Sequence, residues 1–289
     1  MAPSVVCAGA ATLDTILSLP RHPAPDERIV ATELVRAGGG PAATAAVCLA
    51  RLGVAVYFVG AVGDDEAGRA IRAGLEREGV DVSELRLVPG ARSAESAILV
   101  ESPTARRTIA TFLGTVGPLE LGTRARELCR RADWTHVDHV GYPAVRDLDV
   151  RLSVDGGNPI PGLDLAAVSL YAPTESALRD AFGDAAAALA AGAETVVVTR
   201  GADGSIAYTR DGDVIEAPPV SVEPISTLGA GDVFHGALLA FLVRGTSLAE
   251  ALRAANAAAA LSCRALDGRS AIPTLDELER SVAWPPASR

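Results

Sequence analysis

Aromatic side chains are scarce in this chain, at 4% of 289 residues, so Ala, Val and Leu carry its apolar content. Positive charge is also in short supply. The 26 Lys and Arg against 36 Asp and Glu leave a formal net charge of −10. Such a field disfavours a nucleic-acid backbone or an anionic membrane as the main partner. A nucleotide is still allowed, because a local cradle of amides with Mg²⁺ can outweigh the global field. No apolar run reaches the ~18 residues of a membrane span. The N-terminus lacks the basic stretch and apolar run of a signal peptide. Cys7, Cys48, Cys129 and Cys263 are too scattered to form a metal-type pair. They read as small buried hydrophobes in a reducing compartment, which points to the cytoplasm. No Gly-x-x-x-x-Gly-Lys-Ser/Thr occurs, which disfavours a Walker-type NTPase. Ala10-Ala11-Thr12 follows the first apolar stretch where a dinucleotide-binding fold would carry glycines. Linkers, repeats and low-complexity tracts are absent too, so residues 1–289 read as a single domain with small insertions.

What is present is an alternation of strand-like and helix-like segments. Hydrophobic residues make up 49% and charged residues 21%, an ordinary globular balance. Ser4–Gly9, Val54–Gly60, Thr135–Val140, Arg151–Val154, Ala167–Tyr171 and Thr195–Thr199 read as strands. Asp14–Leu19, Arg28–Val35, Ser96–Glu101 and Arg107–Leu113 read as shorter β segments. Gly38-Gly39-Gly40-Pro41 opens an apolar helix, with Pro41 suited to a first helical position. Asp65–Glu78, Thr174–Phe182 and Ala185–Ala191 read as helices. Two long helices follow, at about Asp232–Arg244 and Ser247–Ala265. The alternation predicts an α/β fold with a mostly parallel sheet covered on both faces.

The sharpest chemistry lies in Gly229-Ala230-Gly231-Asp232 at the start of a long helix. Small residues let the backbone approach a ligand, and the free N–H groups of a helix start point at an anion. A carboxylate beside such an anion hole suits phosphoryl transfer to an alcohol. It takes the hydroxyl proton while the amides hold charge on the transferring group. Taken alone, the motif favours a glycine-rich turn with an N-capping Asp.

The wider pattern resembles the PfkB/ribokinase family of sugar and nucleoside kinases. Gly39-Gly40, Arg51-Leu52-Gly53 and Gly60-Ala61-Val62-Gly63-Asp64-Asp65 are similar to its N-terminal signature. Thr227-Leu228-Gly229-Ala230-Gly231-Asp232 is similar to its C-terminal one. The resemblance covers essentially the whole chain. It implies a ribokinase-like three-layer α/β/α sandwich with a small β-lid from residues 12–37 and 93–113, closing over a sugar and excluding water. It implies Asp232 as base, with Gly229, Ala230 and Gly231 as the anion hole. Asp14, Gly39, Gly40 and Thr44 would meet the sugar. Thr199, Gly201, Gly204 and Asn256 would border ATP, with Asn256 equally readable as a helix-packing polar residue. Mg²⁺ would be organised indirectly by Glu175. Dimerisation through exposed lid strands is a further expectation.

Some positions depart from the family pattern. Ser226 and Leu228 stand where the signature has Asp and Thr, so support for a monovalent cation is in doubt. Ala172-Pro173-Thr174-Glu175 keeps the acid of Asn-x-x-Glu but loses the Asn. Gly38–Ala46 together with Gly231–Leu238 is most similar to the sulfofructose kinases, with Arg28 as a candidate lid cation and Thr111 as a polar counterpart. An ordinary ketose, a nucleoside or a keto-sugar acid stays open as acceptor. So does a catalytically weakened sugar- or nucleotide-binding protein. His136-Val137-Asp138-His139 invites a metal reading, but strand alternation keeps the three ligands from converging, so polar groups at a strand end are expected. Asp155 and Asn158 line the phosphate side or form a simple turn. Arg106 and Arg107 read as a solvated tip, with contact to an anionic substrate as the alternative.

Overall fold

The computed structural model describes residues 3–281, so both ends of the 1–289 span lie outside the described residues. Its strands are β1 (Ser4–Ala8), β2 (Thr12–Leu19), β3 (Glu33–Gly39), β4 (Ala55–Gly63), β5 (Asp81–Val88), β6 (Ala94–Glu101), β7 (Arg106–Phe112), β8 (Trp134–Val137), β9 (Leu152–Asp155), β10 (Val168–Ala172), β11 (Thr195–Thr199), β12 (Ser205–Thr209) and β13 (Val214–Ala217). Nine of them form one sheet in the order β13-β12-β11-β10-β9-β8-β1-β4-β5. The strands from β11 to β5 in that order run parallel, and β12 and β13 add an antiparallel edge.

Alternation along β1 assigns the two faces. Val5 and Cys7 join one core with α1 (Pro41–Arg51), α2 (Glu66–Arg77), α7 (Ala230–Leu242) and α8 (Leu248–Ser262). Val6 and Ala8 join the other core, with α3 (Thr123–Arg131), α5 (Glu175–Phe182) and α6 (Ala185–Ala190). This is the three-layer α/β/α arrangement. The connection from β8 to β9 carries only the short helix α4 (Tyr142–Val145). The last helices are α7 (Ala230–Leu242), α8 (Leu248–Ser262) and α9 (Leu275–Ser281). Ala-rich α1 and α8 pack on α7, where small side chains allow close approach. Gly236 of α7 shows this, since a Cβ there would sit 2.6 Å from the Ala45 carbonyl.

The other four strands form a separate sheet, β3-β2-β6-β7. Its register puts Asp14, Ser96 and Thr111 in one row, and Ile16, Ile98 and Ile109 in the next. Ile16, Ile98 and Val100 on this inner face pack on Leu266 and Leu228 of the main body. The outer face presents Leu34 opposite Leu17, with Leu99 beside it.

Several element boundaries differ from the sequence reading; β8, for one, stops at Val137 and not at Val140. The strand expected at Arg28–Val35 is Glu33–Gly39, so Arg28 falls in an irregular, exposed stretch. Gly38 and Gly39 end that strand, Gly40 caps α1, and Pro41 is its first helical residue. Edge strand β5 was also not foreseen; its short alternation Val82, Leu85, Leu87 is broken by polar residues that face solvent.

Candidate active site

Helix α7 begins at Gly229, whose φ of 73° lies in the left-handed region that glycine adopts without a steric cost. The Ala230 N–H turns back to the Thr227 carbonyl at 3.4 Å. The N–H groups of Gly231 and Asp232 find no acceptor among the described residues. They are the orphan donors of a helix start and are available to an anion. The first turn divides two spaces. Ala230, Gly231 and Phe234 line a cleft of about 790 Å³. Asp232 and His235, one turn apart, share a different face of the helix.

Burial and the nearby Asp155 carboxylate raise the Asp232 pKa to about 7, with Asp138 adding to the rise, while His235 and Arg269 oppose it. Asp232 is therefore a carboxylate poised near neutrality, as a general base should be. Behind it, His235 Nδ1 lies 3.4 Å from Asp155 Oδ2. Burial works against the charge on His235, but the attraction of Asp155 raises its pKa. Burial likewise works against the Asp155 charge, yet His235 and the Gly157 N–H hold it down at about 2. The His136 ring lies tilted at 5.7 Å from the His235 ring and is kept neutral, with burial first and His235 second bringing its pKa to about 3. Its Nδ1 meets the Ser153 hydroxyl at 3.0 Å.

The small sheet and the start of α1 carry the next polar groups. Asp14 is buried and accepts the Thr12 hydroxyl at 2.8 Å, and burial raises its pKa. A Cβ on Gly39 would lie 2.0 Å from Asp14 Oδ2, so only glycine leaves this carboxylate free. Gly40 has φ 91°, and a Cβ there would strike the Ala10 carbonyl at 2.5 Å. Thr44 is buried and its hydroxyl accepts from Arg269 Nε at 3.2 Å. Asp138 stands at the end of β8 and accepts the N–H groups of Ala10, Ala42, Val140 and Gly141. It therefore pins the start of α1 to the ends of β1 and β8. No group of three or more His, Cys, Asp or Glu side chains is placed to hold a metal ion among the described residues.

The cleft beside α7 brings together Thr199, Gly201, Gly204, Glu175 and Asn256. Thr199 ends β11, and the glycines follow it in a tight turn. Asn256 on α8 donates to the carbonyls of Ala217 at 3.0 Å and Pro218 at 2.9 Å. It both packs the helix and lines the cleft. Arg107 stays exposed, but its guanidinium donates to the Thr227 hydroxyl at 2.6 Å and it lines the same cleft. Arg106 pairs with Glu101 instead.

Most of the residues expected from sequence thus fall around the start of α7. Arg28 is exposed, with no hydrogen bond or ion pair among the described residues, and Asn158 is exposed. Thr111 meets the Ser96 hydroxyl at 3.2 Å in the Asp14 row. The structure adds Arg269, which no motif announced. A single arginine in a C-terminal loop carries no periodicity, and only tertiary packing reveals where it points.

Comparison with known proteins matches this geometry. The model of the pfkB family carbohydrate kinases matches residues 2–147 and 165–275. The chain is 27% identical to the ribokinase of Bacillus subtilis, over 95% of this chain and 98% of the relative. It is 30% identical to the ATP-dependent ribose-1-phosphate kinase of Halopiger xanaduensis, over 94% and 95%. The solved Arabidopsis thaliana ribokinase complexed with ribose and ATP superposes with a TM-score of 0.84 at 25% identity, covering 99% of this chain and 100% of that one. The cradle at Gly231, the carboxylate at Asp232 and the match along most of its length have one source: the chain belongs to the pfkB family of carbohydrate kinases.

Proposed function

We propose that the protein transfers the γ-phosphoryl group of ATP to a hydroxyl of a furanose-like sugar, with Asp232 as base. The observation that carries this is the position of Asp232. It sits at a helix start whose orphan amides border the cleft, on a different face of the helix, with a pKa near 7. Asp232 takes the proton as the acceptor oxygen bonds to the γ-phosphorus. The bond from that phosphorus to its bridging oxygen breaks, and ADP leaves. The Gly231 and Asp232 amides, with Gly229 shaping the turn, hold the charge that spreads over the transferring group. Asp14 and the Gly39-Gly40 backbone orient the sugar. The small sheet acts as a lid that excludes water.

The cleft suits a nucleotide. It is lined by glycines for close backbone approach, by Asn256 and by Arg107. Mg²⁺ in such sites is held by one or two carboxylates plus the phosphates. Glu175, a single carboxylate on the cleft, fits a cation that comes with the nucleotide, and the ion would neutralise phosphate charge there. Ser226 is buried and its hydroxyl is spent on the Leu228 N–H, which gives a monovalent cation no carboxylate in this loop.

A ribose- or ketose-like acceptor fits the relatives that act on ribose, ribose-1-phosphate and aminoimidazole riboside. A sulfosugar acceptor would rest on Arg28, which is exposed in an irregular stretch between β2 and β3. We also propose that two copies pair through the outer faces of their small sheets, where Leu34 is 61% exposed. The test of the kinase reading is an ATP-consumption screen over pentoses, ketoses, sulfosugars, nucleosides and keto-sugar acids. Turnover of at least one, abolished in Asp232→Asn, is expected. No turnover with any would favour a binding protein.

A further inference from the structure

Arg269 is 7% exposed and belongs to no element of regular structure. Asp267 accepts the N–H groups of Arg269 and Ser270 at 2.8 and 2.7 Å, which closes a tight turn. Within that turn, Gly268 abuts the α7 loop. A Cβ on Gly229 would lie 3.0 Å from the Gly268 Cα, and a Cβ on Gly268 would lie 3.3 Å from the Leu228 carbonyl. From this base the guanidinium reaches 230 residues back along the chain. Nη2 donates to the Gly39 carbonyl at 2.6 Å, and Nε donates to Thr44. Nη1 lies against Gly38, where a Cβ would stand 2.3 Å away, and it has no hydrogen-bond acceptor among the described residues. One side chain therefore joins the glycine pair at the sugar wall, the first turn of α1 and the loop that presents the base.

We propose that Arg269 is a positioning residue for phosphoryl transfer, a buried clamp that fixes Gly39 and Thr44 against the Gly229 loop and sets a permanent positive charge facing both Asp14 and Asp232. This rests on the kinase reading for its function, but not for its geometry. A fork of fixed donors suits the task. A lysine supplies a point charge without the second bond. Burial lowers the Arg269 pKa to about 10, so the charge persists at neutral pH, and Asp14, Asp232, Glu78 and Asp267 all favour it. The charges that face Asp232 are Asp155 and Asp138, which disfavour its ionisation, and His235 and Arg269, which favour it.

The experiment reads the Asp232 carboxyl directly, without nucleotide or sugar. Protein labelled with ¹³C at aspartate carboxyls is titrated by NMR, and Asp232→Asn identifies the resonance. Arg269→Met is expected to move the midpoint upward by about half a unit or more, since a cation has gone from beside the carboxylate. Arg269→Lys is expected to leave the midpoint near the wild-type value but to raise KM for the acceptor found in the screen, because the Gly39–Thr44 clamp is lost. In Arg269→Met, kcat/KM should fall further at pH 6 than at pH 8.5. An unchanged midpoint in Arg269→Met overturns the charge role, and an unchanged KM in Arg269→Lys overturns the clamp. If Arg269→Met does not fold, Arg269→Lys still decides the clamp, and guanidinium-induced unfolding of both variants separates lost stability from altered titration. A screen with no turnover would sink the kinase reading and leave the midpoint shift standing.

Discussion

Asp155 and His235 form a buried ion pair at 3.4 Å, with His235 one helical turn beyond Asp232. The pair lies where a second carboxylate would otherwise crowd the first. When protonated, His235 offsets the Asp155 charge and favours ionised Asp232, which opposes the rise of the Asp232 pKa to about 7. Neither residue is needed to touch a substrate for this to matter.

The activity should therefore follow the ionisation of Asp232. The carboxylate is the competent form, and its pKa is raised to about 7. Below that pH, kcat/KM should fall about tenfold per unit, and above it should level off. Asp232→Asn should cut kcat by about 10²- to 10⁴-fold while ADP still binds. Steady-state kinetics from pH 5.5 to 9 and calorimetry with ADP check both.

His235→Asn should destabilise the fold by about 3–5 kcal/mol near pH 6, since it strands a buried carboxylate. The folded pKa of His235 is raised, so the wild-type gain is full below the unfolded value and is lost as pH rises through the folded one. The folded pKa of Asp155 is depressed to about 2, so its gain is present above the unfolded value and is lost as pH falls through about 2. The gap between variant and wild type should shrink above neutral pH. Urea unfolding of both proteins at several pH values measures it.

Gly39→Ala should raise KM for the acceptor, because a Cβ would lie 2.0 Å from Asp14 Oδ2 and force that carboxylate aside. The Kd for ADP should be unchanged, since the nucleotide cleft lies on a different side of α7. Calorimetry and initial-rate kinetics separate the two.

Asn256→Ala should weaken ADP binding and cost about 1–3 kcal/mol of stability, because the carbonyls of Ala217 and Pro218 lose their donor. An Asn256 that only packed the helix would lower stability and leave the Kd unmoved.

Leu34→Glu should give a monomer in light scattering if copies pair through the outer face of the small sheet. A wild-type protein that is already monomeric would exclude the pairing.

The sequence by itself determined the chemistry at the start of α7. Gly229 is needed where φ is positive, and Asp232 must follow in the first turn, so short-range constraints spell the motif out. It also determined the layer alternation, because β-branched runs and Ala-rich helices are local patterns. The strand bound at Arg28 was misplaced because β3 starts only at Glu33, and the Pro-rich stretch before it carries no register. Asp138 was visible only as part of a histidine-rich strand end; its four amide partners come from three separate segments. Only the tertiary structure decided Arg269. Its partners Gly39 and Thr44 are more than 220 residues away, and a long side chain crossing between loops leaves no pattern in the sequence around it.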